Sequence, residues 1–199
     1  QIKRLRLMPY ALKGHALWKA AGERVGFQRT GGLTLAFNAA EAERLSAMMA
    51  KKREAGAPIV MKSPAEVAAL EPELSRAVVL ASYCPEDGYA NSSITGSYYR
   101  GRLGEAGIAT REHFAITAID RDHGLFELRG AAELIRAKRV LLACGAWTKA
   151  MAAMLGAVFP IRVRINTVSV TERQPRIVTA AIGHATGLLT LKQKSNGTV

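Results

Sequence analysis

Val140-Leu141-Leu142-Ala143 is an unbroken apolar run that passes directly into Cys144, Gly145 and Ala146, followed by Trp147. Four apolar residues without polar alternation suit a short strand buried on both faces of a parallel sheet, and this restricts the fold more than any other stretch. The abrupt change to small residues lets a flat ligand come close to the backbone, because no side chain stands in the way. The same residues also suit a plain strand-to-helix turn, and taken alone they leave both readings open.

Helix and strand signals alternate along the rest of the chain. Leu5, Met8, Leu12, Leu17 and Trp18 recur at helical intervals, predicting a helix from Ile2 to Ala21 that stops at Gly22. Leu33, Leu35 and Phe37 alternate after Gly31-Gly32, as in a half-buried strand. Asn38 with Glu41 three residues later predicts a capped helix through Leu45, Met48 and Met49 to Gly56. Ser63-Pro64-Ala65-Glu66 is a capping box opening a short helix that Pro72 closes. Val78 to Tyr83 reads as a strand, Pro85 to Gly88 as a loop, and Asn91 to Ala106 as a helix. Ile108 to Thr110, Phe114 to Asp120 and Leu125 to Arg129 read as a small β-meander with a tight turn at Asp122-His123-Gly124. After the 140–143 strand come a short helix from Trp147 to Leu155 and a long alternating strand from Ile161 to Thr171. This mixture is an α/β to α+β fold.

The net charge is +12, which on one face would draw nucleic acid or an anionic membrane. The basic residues are dispersed, however, at Lys3, Arg4 and Arg6, Lys51 to Arg53, Lys138 and Arg139, and Arg162 and Arg164, which suits a solvated surface. A non-enzymatic basic module, for example one binding RNA, would need clustered cations interleaved with exposed aromatics, and aromatics make up only 6%. No apolar run approaches the ~20 residues of a membrane span, and no signal-peptide pattern stands at the start. Cys84 and Cys144 form neither a disulfide framework nor a metal-ligand spacing, so a soluble protein in the reducing cytoplasm is expected.

His15, His113, His123 and His184 show no metal-ligand spacing and no nucleophile partner, so surface or satisfied core roles are expected and no metal is called for. Arg162 and Arg164 fall on one side of the long strand, either facing an anionic substrate or lining a solvated sheet face.

The segment Val140 to Trp147 resembles the small-residue strand end that closes the dinucleotide-binding domain in the D-amino-acid oxidase superfamily, which includes glycine and sarcosine oxidases and D-hydroxyproline dehydrogenase-like enzymes. Phe27 to Ala36 resembles that superfamily's Gly-x-Leu strand, after a helix carrying Trp18. Leu70-Glu71-Pro72-Glu73-Leu74 resembles its Pro-containing helix stop, and Asp87-Gly88 the pair preceding the next helix. Phe159 to Arg164, followed by Val170-Thr171-Glu172, is similar to the strand that runs past the substrate side of the flavin. Order and spacing agree over nearly all of the chain. Departures occur at Cys144 in place of Ala, at Ile165-Asn166-Thr167 and at Ala90-Asn91-Ser92.

The resemblance implies part of an FAD-binding Rossmann-like domain with a β-meander, plus part of an antiparallel-sheet substrate domain. By this reading residues 1–72 begin the substrate portion, 73–158 belong to the FAD-binding domain with the meander at 108–130 and the closing strand at 139–145, and 159–199 return to the substrate sheet. It implies FAD as cofactor, with Ile116 against the adenine and Ala143, Cys144, Gly145 and Trp147 along the adenosine and pyrophosphate side. The implied reaction is hydride transfer from the α-carbon of an amine or amino acid, with oxygen or partner subunits of a hetero-oligomer as electron acceptor. The Gly-x-Gly-x-x-Gly phosphate loop does not occur in the sequence and is expected upstream of Gln1; the substrate-gripping residues are expected beyond Val199, so no catalytic residue is named. An internal segment of a longer protein is therefore expected, in keeping with a start at Gln1 and the Asn196-Gly197 turn at the end.

Overall fold

The computed structural model describes residues 4–187 and 189–199; Ile2, the expected start of the first helix, lies outside them. Leu5–Leu7 form a 3-10 turn that leads into α1 (Met8–Ala21). Pro9 sits in its first turn, where its missing N–H leaves no bond unmade, and Gly22 at φ +55° ends it. Then follow β1 (Gly32–Ala36), α2 (Ala39–Glu54), β2 (Val60–Lys62), α3 (Pro64–Leu70), β3 (Leu80–Cys84) and α4 (Ser92–Glu105). The caps read from the sequence at Asn38 and Ser63 are formed, and Asn91, expected as the first residue of a helix, caps α4 instead. Asn38 accepts the Glu41 N–H, Asn91 accepts those of Ser93 and Ile94, and Ser63 and Glu66 exchange bonds in a complete capping box. Hydrogen bonds from Lys62 and then from Ser63 hold the Glu66 carboxyl down at about 2. That contribution is present above the ordinary carboxylate range and is lost as pH falls toward this value.

Two compact units result, one of residues up to Ala106 with Ser169–Val199, the other of Gly107–Val168. The first holds a five-stranded sheet in the order β2-β3-β1-β7-β8, with β7 (Ala181–His184) and β8 (Thr190–Leu191). β1 and β7 run parallel and the other pairs are antiparallel, which makes a mixed sheet. The strand expected to be half-buried, β1, is buried at every residue. It has neighbours on both edges, and both its faces are covered. Leu33 and Leu35 pack with Val67, Val78, Ala81 and Ile182, while Ala36 packs with Leu45, Met49 and Ile59. The boundary expected after Pro72 does not coincide with a unit boundary, because β3 lies beyond it and is hydrogen-bonded to β1.

Two buried polar side chains tie the C-terminal stretch to this core. Glu71, 3% exposed, accepts the N–H of Thr179 through both oxygens at 3.0 Å and that of Ala180 at 2.6 Å. Gln193, 1% exposed, accepts from Ile177 and Val178 and donates to the carbonyls of Gln174, Pro175 and Gly197. Charge-assisted hydrogen bonds contribute about 1.5–3 kcal/mol, and a buried donor left unpaired costs about as much. Glu71→Ala is therefore expected to lower the unfolding free energy by about 3 kcal/mol, and Glu71→Gln by roughly half of that, because it keeps one acceptor oxygen. Urea unfolding monitored by tryptophan fluorescence measures both; an alanine variant as stable as wild type would remove this tie from the account.

The second unit, residues 107–168, is built on an antiparallel meander of β4 (Ala118–Asp122), β5 (Leu125–Arg129) and β6 (Leu134–Ala137). Its first turn is the one expected: His123 and Gly124 both have positive φ, 45° and 80°, as a two-residue type I′ hairpin requires. The meander lies further along the chain than 108–130. Ile108–Thr110 is not a strand, and the third arm is β6, whose register places Ile135 opposite Leu128. Glu127, buried in β5, is paired with Arg136 at 2.7 Å and Arg129 at 3.5 Å. A 3-10 turn at Gly145–Trp147 leads into α5 (Thr148–Ala153), within the range expected for a helix.

Two expected strands do not form. Val140–Ala143 is not part of any strand, with Leu141 89% exposed, and residues 161–171 carry no ladder, with Ile165 96% exposed. An apolar or alternating pattern marks a segment able to pair, whereas a strand exists only where a neighbour supplies the other half of each hydrogen bond. Among the described residues no strand lies beside either segment.

Candidate functional site

The five positions singled out by the sequence all fall within 107–168. Ala143, Cys144, Gly145 and Trp147 form one continuous turn, closed by a hydrogen bond from the Trp147 N–H to the Cys144 carbonyl at 3.1 Å. Gly145 has φ +55°, and a Cβ placed on it would meet no atom within 4 Å. Its backbone therefore faces open space, and the turn requires glycine for its left-handed conformation. Trp147 is 74% exposed, and Ala143 and Ala146 are exposed beside it. Cys144 is half-buried and its thiol is free. Ile116, half-buried, lies two residues before β4.

A second cluster of motif residues serves packing rather than exposure. Asp87-Gly88 meets Gly31-Gly32 where the loop after β3 crosses the entry to β1. Gln28 and Tyr89 exchange backbone hydrogen bonds at 2.8 and 3.0 Å, and the Gly31 N–H donates to the Asp87 carbonyl. A Cβ on Gly88 would overlap the Gln28 carbonyl, and one on Gly31, where φ is +73°, would lie 2.5 Å from the Tyr83 hydroxyl. Charges concentrate around this crossing. Lys19 and Arg29 bind the two oxygens of Glu86 at 3.0 and 2.9 Å, and the hydrogen bond from Lys19 is the main cause holding that carboxyl below its usual range. Burial pushes the Lys52 ammonium down, opposed by Asp87, and pushes the Cys84 thiol up, helped by Asp87.

The remaining candidates stay apart. His15 bonds the Glu86 carbonyl at 2.7 Å, His113 and His123 occupy exposed turns, and His184 bonds Thr186 in its own turn and stacks on Phe37 beside Glu41. Arg162 and Arg164 are exposed on the unpaired segment and share no sheet face. Among the described residues no three His, Cys, Asp or Glu side chains converge as metal ligands, and no helix is long and apolar enough to cross a membrane. A cleft of about 240 Å³ between α3 and residues 74–78 is lined mainly by apolar side chains, with Arg76 its sole charged group. Sequence reading missed Glu71 and Gln193 as buried ties. Only their polar character stood in the sequence, while the N–H groups that Glu71 binds lie over a hundred residues away.

The family model described as "DAO: FAD dependent oxidoreductase" matches residues 2–194. No curated protein matches the sequence. Among solved structures, the L-proline dehydrogenase from P. horikoshii superposes with a TM-score of 0.82 at 22% identity, over 97% of this chain and 53% of that one. The glycine oxidase from Geobacillus kaustophilus gives 0.81 at 22%, over 96% and 54%. The L-alpha-glycerophosphate oxidase from Mycoplasma pneumoniae, solved with FAD bound, gives 0.79 at 17%, over 96% and 54%. The chain thus spans about half the length of these proteins and shares their fold.

Proposed function

This chain belongs to the DAO family of FAD-dependent oxidoreductases, and we propose that it is part of a flavoenzyme that oxidises an amine or amino acid at the α-carbon. The observation that carries the reading is the turn at 143–147. It combines an open glycine backbone, small neighbours and an exposed indole, which suit a flat adenosine lying against main chain. Ala143, Cys144, Gly145 and Trp147 would line the adenosine and pyrophosphate side of FAD, and the Ile116 backbone the adenine. When bound, FAD supplies the acceptor for the hydride that leaves the substrate carbon. The chain's own part is to hold the cofactor and fix its orientation.

In this reading the meander and the turn after it belong to the FAD-binding domain, and the five-stranded sheet to the substrate domain. β3 then joins the substrate side. Amine or amino-acid substrates are supported by two structural neighbours, one a dehydrogenase of L-proline and the other an oxidase of glycine. Electrons pass onward to oxygen or to partner subunits of a hetero-oligomer. Two free cysteines suit a reducing cytoplasm. An RNA-binding module gains no support from the family match.

Gly145→Leu in the full-length protein tests the placement. The left-handed backbone there costs a leucine about 1–2 kcal/mol, and its side chain would stand in open space. The apo form should therefore lose only that much stability while flavin content per purified chain falls below half of wild type. Normal flavin absorbance per chain in the variant would move the cofactor away from this turn.

A further inference from the structure

The cleft between α3 and residues 74–78 has core residues for a floor and one cation in its lining. Val67 and Val78, 2% and 4% exposed, belong to the buried cluster that holds Leu33 and Leu35, and Leu74 packs against it. Pro64, Ala65, Ser75 and Arg76 are exposed at the opening. Both walls are fixed by hydrogen bonds. α3 is closed by the Ser63–Glu66 capping box at one end and by the Glu71 N–H on the Val67 carbonyl at the other. In the facing loop the Leu74 N–H donates to the Glu71 carbonyl at 3.2 Å and the Val79 N–H to the Ala36 carbonyl at 2.9 Å. Such a cleft is preformed, so binding does not have to order it first. Its volume is about 240 Å³. An apolar cavity of about 150 Å³ takes a benzene ring, so a ligand of roughly ten non-hydrogen atoms fits here.

The polar chemistry of the cleft is one-sided. Arg76 forms no ion pair with a described residue. Of the carboxylates near it in sequence, Glu66 is held by Lys62 and Ser63, Glu71 by Thr179 and Ala180, and Glu73 is exposed and does not pair with it. The Ser75 hydroxyl oxygen accepts the Ala77 N–H at 3.2 Å, which leaves its own proton to donate. An apolar floor beside a guanidinium and a hydroxyl donor, with no acid in the lining, matches a ligand that is apolar over most of its length and ends in a carboxylate. We propose that this cleft binds a monocarboxylate with an apolar body of about seven to nine carbons, its carboxylate on Arg76 and Ser75 and its body on Val67 and Val78. Inorganic anions lack the apolar body, and an amino acid brings an ammonium for which the lining holds no carboxylate. The cleft lies in the sheet-bearing unit and the turn at 143–147 in the other, so this inference stands apart from the flavin reading.

Methyl NMR of the full-length protein, titrated with octanoate and with its uncharged counterpart octanamide, reads the cleft directly. The Val67 and Val78 methyl signals should shift and saturate with octanoate, with a dissociation constant on the order of 1 mM for so small a ligand. Octanamide should bind at least about tenfold more weakly, because it forms no charge-assisted pair. Arg76→Gln, at an exposed position, should weaken octanoate by about the same factor and leave octanamide unchanged. Ala65→Phe, which adds a ring to the wall and keeps Arg76, should weaken both probes. Methyl signals that octanoate does not move, equal affinity of the wild type for the two probes, or octanoate affinity unaltered in Arg76→Gln would each overturn the proposal. Any of these results leaves the flavin content of the protein, and with it the flavoenzyme reading, untouched.

Discussion

The 199-residue chain, purified alone, is expected to be colourless and to turn over no amine or amino acid. Flavin affinity in a dinucleotide fold rests largely on a glycine loop whose backbone N–H groups and helix N-terminus meet the pyrophosphate charge. No Gly-x-Gly-x-x-Gly occurs among these residues. The turn at 143–147 offers small residues, one indole and an open backbone, which suit the uncharged adenosine alone. Loss of ~4 kcal/mol of phosphate interactions weakens binding roughly a thousandfold, so cofactor is not retained through purification. Turnover fails for a separate reason. Arg162 and Arg164, the cations read as candidates for an anionic substrate, stand exposed on an unpaired segment, and nothing there fixes a substrate in the orientation that supplies much of a catalysed rate. The measurement is a visible spectrum with an added-FAD titration, followed by an assay with an artificial electron acceptor. Stoichiometric yellow protein, or turnover above that of free FAD, would make this segment a functional unit by itself.

Gly88→Ala is expected to be the most damaging single methyl group in the sheet-bearing unit. The added Cβ overlaps the Gln28 carbonyl and approaches the Arg29 Cα to 3.0 Å, so the clash is with main chain, which has no rotamer to change. Relief requires the two backbone hydrogen bonds between Gln28 and Tyr89 to part, and the Gly31 bond to Asp87 to stretch with them. Overpacking of this kind costs about 3 kcal/mol or more, and the paired bonds add about 1 kcal/mol each. Together these amount to much of the roughly 5–15 kcal/mol that holds a domain folded. Thermal unfolding of full-length Gly88→Ala should show a drop well beyond 10 °C, or no soluble protein. Gly145→Ala is the matching control, since its cost is conformational only, about 1 kcal/mol, and its Cβ meets nothing. Equal stability of the two variants would contradict the backbone crossing described for Gly88.

The features legible in the sequence are those whose cause is local. Gly22 ends α1, Asn38 and Ser63 cap their helices, and His123-Gly124 turns the hairpin, because each acts within about four residues of itself. The features that escaped depend on distant partners. β7, four residues long, pairs with β1 nearly 150 residues earlier, and the two-residue β8 pairs in turn with β7. The third arm of the meander is an exception: Leu134 to Ala137, not Ile108 to Thr110, returns to β5, and it is a local partner only a few residues along the chain. The apolar run at 140–143 and the alternating run at 161–171 carry strand patterns without a neighbour among the described residues. The candidate site divides in the same way. Gly145 stands at positive φ in open space, a turn whose glycine the small-residue run marks, whereas the glycines at 31 and 88 have a reason of their own, a main-chain crossing that motif resemblance does not convey.

The central claim is most directly tested by anaerobic titration of the purified full-length protein with a panel of amines and amino acids while its visible spectrum is recorded. Assignment to a flavin amine oxidoreductase predicts a flavin band corresponding to about one cofactor per chain, and its bleaching by at least one member of the panel as the substrate carbon gives up a hydride. A full-length protein that carries no flavin and takes up none when FAD is added, or a bound flavin that no amine or amino acid reduces, would contradict it.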